Sequence, residues 1–257
     1  MNAQARILLC SLVLLPGTTA WAEDFRIDTK VYLAEETEPI SQNVTLFQKG
    51  VVYDFLAESK QIAIFRKLSS AESGTLILLD PTRQVRTDLT TEEILLYSRG
   101  LQDWATTHKD PLLKFSANPD FKEAFDERET TLTLTSERMK YRLLTIPCSE
   151  SASQQYKEFS DWYVRAAARM HQGALPPFPR LMVNAALARH QVMPGEVHLE
   201  VPASAGHPAL VVRSTHDVLF LLSQKDRQEI EKAQQHLAEF KKVDFKEFQA
   251  DLYSAAK

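Results

Sequence analysis

Residues 44–65, VTLFQKGVVYDFLAESKQIAIF, decide the fold class of this chain. β-Branched, aromatic and other apolar residues gather there in three short runs, which are typical of strands. The runs cover residues 44–47, 51–56 and 62–65. In the second run, Tyr53 and Phe55 point to one face of a strand, while the apolar Val52 and Leu56 point to the other. A sheet with one face in water would alternate more cleanly, so this pattern predicts a sheet covered on both faces, by helices or by a bound ligand.

Further strand signals lie on both sides of this stretch. Alternation over residues 25–33 predicts an opening strand. Residues 75–79 and 85–89 predict a hairpin, because Asp80 and Pro81 suit the first two positions of a type I turn. The remaining predicted strands cover residues 130–135, 141–146, 197–201 and 210–222. The total is about ten strands.

Helix signals interrupt and follow these strand runs. Thr90 and Glu93 form a capping box before a helix that contains Trp104. Ser151 is predicted to begin a long helix that ends at Gly173. Other helical segments are predicted at about 111–116, 119–126, 180–190 and 224–240, and from about 245. Strands and helices in this order predict an α+β fold: an antiparallel β-sheet of about ten strands with helices packed on it.

Residues 1–22 have the organisation of a secretory signal peptide. Arg6 gives a positive start, an apolar core of nine residues follows, and Ala20 and Ala22 are small residues before a cleavage site. The core is too short to span a bilayer, which takes about 20 residues. We therefore expect cleavage after Ala22 and a periplasmic or secreted protein, residues 23–257, that folds as one domain without a stable membrane anchor.

Composition narrows the classes of function. The chain has 30 Lys and Arg against 34 Asp and Glu. Because it has no excess of positive charge, we do not expect it to bind nucleic acid or an anionic membrane surface. Without the signal segment Cys148 is the one remaining cysteine, which excludes an intrachain disulfide although exported proteins can form them. A thiol before a predicted helix could have a lowered pKa. Burial as a small apolar side chain is the preferred interpretation.

The sequence contains no strong motif for metal binding or nucleophilic catalysis. Its seven histidines form no H-x-x-x-H or H-E-x-x-H pair. His198 and His216 lie on the two strands of a predicted hairpin but on opposite faces, so a shared metal ion is not expected. G-x-S-x-G, G-x-G-x-x-G and P-loop motifs are also missing. We therefore predict no cofactor, no metal site and no catalytic residue.

Four residues on two predicted strands are the candidate ligand-binding residues: Tyr53, Phe55, Ile77 and Leu79. Apolar residues at these spacings usually pack in a core. The apolar character of both strand faces favours the alternative that they line a ligand cavity. The aromatic residues Trp104, Trp162 and Tyr163 are further candidates for such a lining.

One part of the chain resembles known families. The resemblance is carried by residues 46–55 (LFQKGVVYDF), 62–65 (IAIF), 78–81 (LLDP) and 86–87 (RT). Their order resembles an uncharacterised family of secreted bacterial proteins and, over residues 25–90, is similar to LolA-like periplasmic lipoprotein carriers. The chain differs from the carriers in lacking a helix before the first strand and in adding helix between 150 and 195. The resemblance implies a curved sheet whose concave face, capped by helices, could hold acyl chains, and it assigns no functional residue.

Three functions remain. The first is an exported, non-enzymatic binding protein for a lipid, a lipidated protein or another apolar ligand. The second is an envelope protein–protein interaction domain without a small-molecule ligand, with an exposed apolar patch near residues 175–178 or on the terminal helix. The third is a hydrolase, for which His216 and Asp217 are the first suspects, although neighbours in a strand point to opposite faces. The binding protein ranks first and the enzyme last.

Overall fold

The computed structural model describes residues 23–67, 73–171, 173, 175–204 and 208–254, with only the backbone described for 251–254. This part of the chain has an α+β fold, in which twelve strands form one open, curved and mostly antiparallel sheet that carries six helices. The predicted fold class is therefore confirmed. The predicted signal segment, residues 1–22, lies outside the described residues.

The strand order in the sheet pairs the first strand of the chain with the eleventh. They are β1 (Phe25–Leu33), β2 (Ser41–Gln48), β3 (Val51–Leu56), β4 (Ile62–Lys67), β5 (Gly74–Asp80), β6 (Val85–Thr90), β7 (Lys122–Asp126), β8 (Thr131–Thr135), β9 (Lys140–Pro147), β10 (Val192–Val201), β11 (Leu210–Leu219) and β12 (Lys241–Lys242). Their order is β12-β6-β5-β4-β3-β2-β1-β11-β10-β9-β8-β7. The N-terminal strand β1 thus pairs with the late strand β11, with Thr29 opposite His216.

The helices begin where side chains cap their first turns. They are α1 (Thr91–Thr107), α2 (Pro111–Ala117), α3 (Glu150–Met170), α4 (Phe178–Arg189), α5 (Gln224–Glu239) and α6 (Phe245–Ser254). Thr90 and Glu93 form the predicted capping box of α1, and Ser223 and Asp226 form another at α5. The hydroxyl of Ser149 accepts from the amide of Ala152 and starts α3 two residues before the predicted cap.

Helices cover both faces of the sheet over β2–β5. On one side, here called the α3 face, Phe47 stacks on Phe25 with ring centroids 3.9 Å apart and meets Phe159 of α3 edge-on. On the other side, the α5 face, Leu46 packs in a second core with Ile230 of α5. Successive residues of one strand therefore enter two different cores, which explains why these strands are apolar on both faces.

The last part of the chain crosses from one face to the other around the sheet edge. After α5, β12 pairs in parallel with β6, and the Val243 amide donates to the carbonyl of Arg86 over 2.8 Å. Helix α6 then packs on the α3 face through Phe248, which is fully buried. The Arg83 guanidinium donates to the Phe248 carbonyl and lies over its ring. These contacts close one edge of the sheet.

The helix predicted at about 119–126 is wrong, because the segment forms strand β7. Its side chains alternate, with Glu123 and Phe125 half-buried between exposed neighbours, and it pairs with β8. The segment therefore follows the alternation of its side chains, which is typical of a strand, and not the helix-start signal of Asn118 and Pro119. The strand predicted from 197 also begins earlier, at Val192, with a bulge between Pro194 and Glu196.

Candidate functional site

Two apolar clefts lie beside the C-terminal end of α3. Cleft 1 has a volume of about 540 Å³ and lies between α1, α3 and the ends of β10 and β11. Cleft 2 has a volume of about 470 Å³ and lies between α3 and the ends of β2–β5. Both volumes fall in the range of ligand sites, about 300–1,000 Å³. Cleft 1 is lined by Tyr97, Leu101, Trp104, Leu175 and Leu210, among others, and cleft 2 by Leu56, Ala63, Leu78, Tyr163 and Met170, among others.

Helix α1 supplies the aromatic wall of cleft 1. Tyr97, Leu101 and Trp104 follow one another at spacings of four and three residues, so they share one face of the helix. The Tyr97 hydroxyl donates to the carbonyl of Ala168 in α3 over 3.3 Å. Trp104 is 50% exposed, whereas Ile94 and Ala105 of the same helix are fully buried. The amphipathic helix thus leaves a large aromatic side chain at the cleft.

The last turns of α3 separate the two clefts. Ala168 lines cleft 1, whereas Tyr163 and Met170 line cleft 2, and His171 at the helix end lines both. The His171 amide donates to the Ala167 carbonyl over 2.9 Å.

Helix α6 fixes the end of α3 in place. The Gln249 side-chain amide donates to the Met170 carbonyl over 3.2 Å, which satisfies a carbonyl that a helix end otherwise leaves unpaired. The Arg169 guanidinium also lies 4.5 Å from the centre of the Phe245 ring. The end of α3 that separates the two clefts is therefore held in position by contacts with α6.

A carboxyl group is buried on the α3 face beside cleft 2. One Asp54 oxygen accepts from the Thr45 hydroxyl over 2.7 Å and from the Asn43 side-chain amide over 2.5 Å. Burial raises the pKa of Asp54, while hydrogen bonds from Thr45, Asn43 and Tyr163 act in the opposite direction. Burial and the nearby Asp54 carboxylate raise the pKa of Tyr163. Tyr163 therefore stays protonated, and its hydrogen bond to Asp54 ties α3 to β3.

His216 occupies a second buried polar cluster on the same face. Its Nε2 lies 2.9 Å from the Ser214 hydroxyl, and its Nδ1 lies 3.0 Å from the Thr29 hydroxyl. Burial, and then the positive charge of Arg180, lower the pKa of His216 to about 3. The imidazole is therefore neutral near pH 7 and a weak base, unlike a catalytic base, whose pKa lies near the working pH. The arrangement Ser–His–Thr joins β11 to β1.

The predicted orientations of the histidines are confirmed. Asp217 is exposed on the face opposite His216, opposite Asp28 in the register of β1 and β11. His198 also lies on that opposite face, where its ring nitrogen hydrogen-bonds Glu196. Within the described ranges, no group of three or more His, Cys, Asp or Glu side chains could hold a metal ion.

The structure brings the four predicted ligand-binding residues together, but in the core beneath α5. Leu79 is fully buried, Ile77 is 6% exposed and the half-buried Phe55 packs against the same cluster. The Tyr53 hydroxyl accepts from the side-chain amide of Gln234 in α5 over 2.9 Å. The clefts lie on the other side of the sheet, and cleft 2 is lined by Leu56 and Leu78, which have the opposite parity in the same strands. Of the three further aromatic candidates, Trp104 and Tyr163 line the clefts, whereas Trp162 is in the described lining of neither.

Cys148 is half-buried rather than fully enclosed. Its Sγ lies 3.5 Å from the carbonyl of Gln191, which follows α4. Burial, and then the negative charge of Glu23, raise its pKa to about 11. The thiol is therefore protonated near pH 7, which favours the interpretation of a packed apolar group over a reactive one.

No family model matches the chain, and none of the curated proteins with which it was compared matches it. Among the helices of the described residues, none has both the length and the apolar character needed to cross a membrane.

Proposed function

We propose that this chain is an exported, non-enzymatic binding protein that holds a lipid or another apolar ligand in clefts 1 and 2, between the sheet and α3. One observation carries the proposal: two ligand-sized apolar clefts flank the same helix end. The described lining of cleft 1 includes no Asp, Glu, Lys or Arg, so burial of apolar surface would dominate binding there. The signal segment predicted at residues 1–22 and the resemblance of residues 25–90 to LolA-like carriers are the sequence features that favour an exported carrier of acyl chains.

The proposal moves the ligand site away from the four residues predicted from the sequence. Tyr53, Ile77 and Leu79 already have apolar partners in α5, so a ligand would have to displace the helix to reach them. A ligand in the clefts would instead cover side chains that are now exposed. Trp104 is 50% exposed and Tyr97 is 40% exposed. Leu210 of the same cleft is 36% exposed, and exposed apolar groups that gather at one place, unlike single ones, mark binding sites.

Ligand binding is expected to change the fluorescence of Trp104. A chain in cleft 1 would remove water from the indole, so the emission of residues 23–257 should shift to shorter wavelength when a soluble fatty acid is added. Trp162 supplies the background signal, because it is the other tryptophan of that segment. The Trp104→Phe variant should still bind the fatty acid in a radioligand assay, because phenylalanine keeps an aromatic wall, but it should lose the shift. A shift that persists in this variant would place the ligand elsewhere.

Filling cleft 1 should weaken binding without disturbing the fold. Ala209 is exposed and lines the cleft, so Ala209→Trp would place an indole where the ligand lies. We expect affinity for a fatty acid to fall at least about tenfold, which corresponds to roughly 1.4 kcal/mol. Ala203→Trp is the matched control, because Ala203 is also exposed in the segment after β10 but does not line the cleft. Equal affinity of the two variants would contradict the assignment of cleft 1.

A specific observation favours a second candidate, an envelope interaction domain. Leu219, Phe220 and Leu221 follow one another at the end of β11 and are 54%, 48% and 73% exposed. The patch expected near residues 175–178 is not there, since Pro176 and Pro177 are buried. If neither cleft binds an apolar ligand, this turn becomes the best functional surface.

A further inference from the structure

We infer that the ligand has two apolar chains joined at one polar head, with one chain in each cleft and the head beside His171. This inference rests on the proposed function and specifies its ligand. A ligand with one chain would fill one cleft and leave the other in contact with water. The two clefts are similar in volume, about 540 and 470 Å³, so they suit chains of similar size.

The end of α3 sets the geometry of this ligand. Tyr163 and Met170 are seven residues apart, two turns along one side of the helix, and both line cleft 2. Ala168 lies on the side that lines cleft 1. A ligand that straddles the helix end would therefore place its chains on either side of the last turn and its branch point at His171.

His171 fits the role of the residue at the head. Its side chain is exposed, and it is the one residue common to the described linings of both clefts. An imidazole can donate a hydrogen bond to an ester or phosphate oxygen, and it can accept one from a hydroxyl. The described lining of cleft 1 contains no carboxylate or guanidinium that would compete for the head, and that of cleft 2 contains one carboxylate, Glu58.

Two linked chains should bind much more tightly than one. Once the first chain is seated, the second enters its cleft as an intramolecular step, and such linkage raises affinity by about 10²-fold or more. The shared chemistry is that of a diacylglycerol unit under a polar head, whether it belongs to a free lipid or to the lipid anchor of a protein.

The test compares two soluble lipids with the same head. Dioctanoylphosphatidylcholine and its one-chain lyso form are titrated into residues 23–257 below their critical micelle concentrations, and both affinity and stoichiometry are read from native mass spectrometry. Ala209→Trp fills cleft 1 and Ser59→Trp fills cleft 2, since both residues are exposed and line those clefts. Ala203→Trp and Ala57→Trp are the controls, being exposed neighbours outside the linings. Each filled cleft has its own control.

We expect one two-chain lipid per protein, bound about 10²-fold more tightly than the lyso form. Each filling variant should reduce its affinity to that of the lyso form, and neither control should do so. Two lyso molecules bound per protein as tightly as the two-chain lipid would overturn the inference and leave the proposed function intact. Binding of neither lipid would overturn the proposed function itself.

A further arm of the titration identifies the source of the diacylglycerol unit. A peptide that carries diacylglyceryl-cysteine at its N-terminus is compared with the free lipid. Tighter binding of the peptide assigns the natural ligand to a lipid-modified protein, and equal binding assigns it to a free lipid. His171→Ala should weaken the binding of both the peptide and the free lipid. Unchanged affinity would overturn the placement of the polar head beside His171.

Discussion

Replacing Leu79 with alanine is expected to lower the free energy of unfolding by about 2–5 kcal/mol. Leu79 is fully buried between β5 and α5, where it packs in the same core as Ile230 and Ala233. Truncation leaves a cavity that the surrounding strand and helix fill only in part. The affinity of the remaining folded protein for an apolar ligand should be unchanged, because the clefts lie on the other face of the sheet. Urea titration gives the stability, and ligand titration gives the affinity.

Leu210→Ala is the matched control for this experiment. Leu210 lines cleft 1 and is 36% exposed, so its truncation should change stability by only about 0.5 kcal/mol. It should, however, weaken ligand binding. The reverse pattern, with Leu79→Ala stable but unable to bind ligand, would return the site to the face beneath α5 and support the four residues predicted from the sequence.

Acid is expected to destabilise the protein through His216. Because burial lowers the folded-state pKa of His216 to about 3, the unfolded chain binds a proton below about pH 6.5 while the folded chain does not. The stability contribution is therefore complete above pH 6.5 and is lost as the pH falls from 6.5 towards 3. Each pH unit in that window costs about 1.4 kcal/mol, so about 2–3 kcal/mol should be lost between pH 6.5 and about 4.5.

His216→Gln should remove most of this pH dependence. Glutamine cannot bind a proton in this range, and its amide can still hydrogen-bond the hydroxyls of Thr29 and Ser214. Chemical unfolding of both proteins across the window measures the difference. Parallel curves for the variant and the unsubstituted protein would contradict the account of a neutral, buried His216.

Protonation of Asp54 is expected to favour the folded state as the pH falls, which is opposite to the effect of His216. Burial raises its pKa in the folded state, so the folded chain binds a proton more readily than the unfolded chain does. The cost of its buried charge is present above the folded-state pKa and is relieved as the pH falls through that value. Asp54→Asn should therefore make the acid loss of stability steeper. If the stability of Asp54→Asn fell less steeply with decreasing pH than that of the unsubstituted protein, the raised pKa of Asp54 in the folded state would be contradicted.

The fold class could be predicted because its signals are local. Apolar residues of both parities in β3 and β5 require a partner on each face of the sheet, and α5 and α3 supply those partners. In the capping box at Thr90 and in the turn at Asp80, the hydrogen-bonding partners are at most three residues apart. The Asp80 carboxylate accepts from the amides of Thr82 and Arg83. Local chemistry of this kind is readable from one sequence. The wrong helix at 119–126 shows where two local signals disagree.

The clefts could not be predicted because residues distant in the sequence form them. Trp104 in α1, Leu175 before α4 and Leu210 in β11 meet only after the chain has folded. Tyr53 in β3 and Leu78 in β5 show the same limit within one part of the sheet. Parity separates the two faces, but sequence alone does not tell which face meets a packed helix and which ends in a cleft.

Photoaffinity labelling tests the central claim most directly. A fatty acid with a diazirine at the chain end is bound to residues 23–257 and irradiated, and the labelled residues are located individually by fragmentation of the tryptic peptides in the mass spectrometer. We predict labels on the peptide 100–109, which contains Leu101 and Trp104, and on residues 56–63 beside cleft 2. Labels confined to Tyr53, Ile77 or the facing residues of α5, or no saturable labelling, would contradict the account.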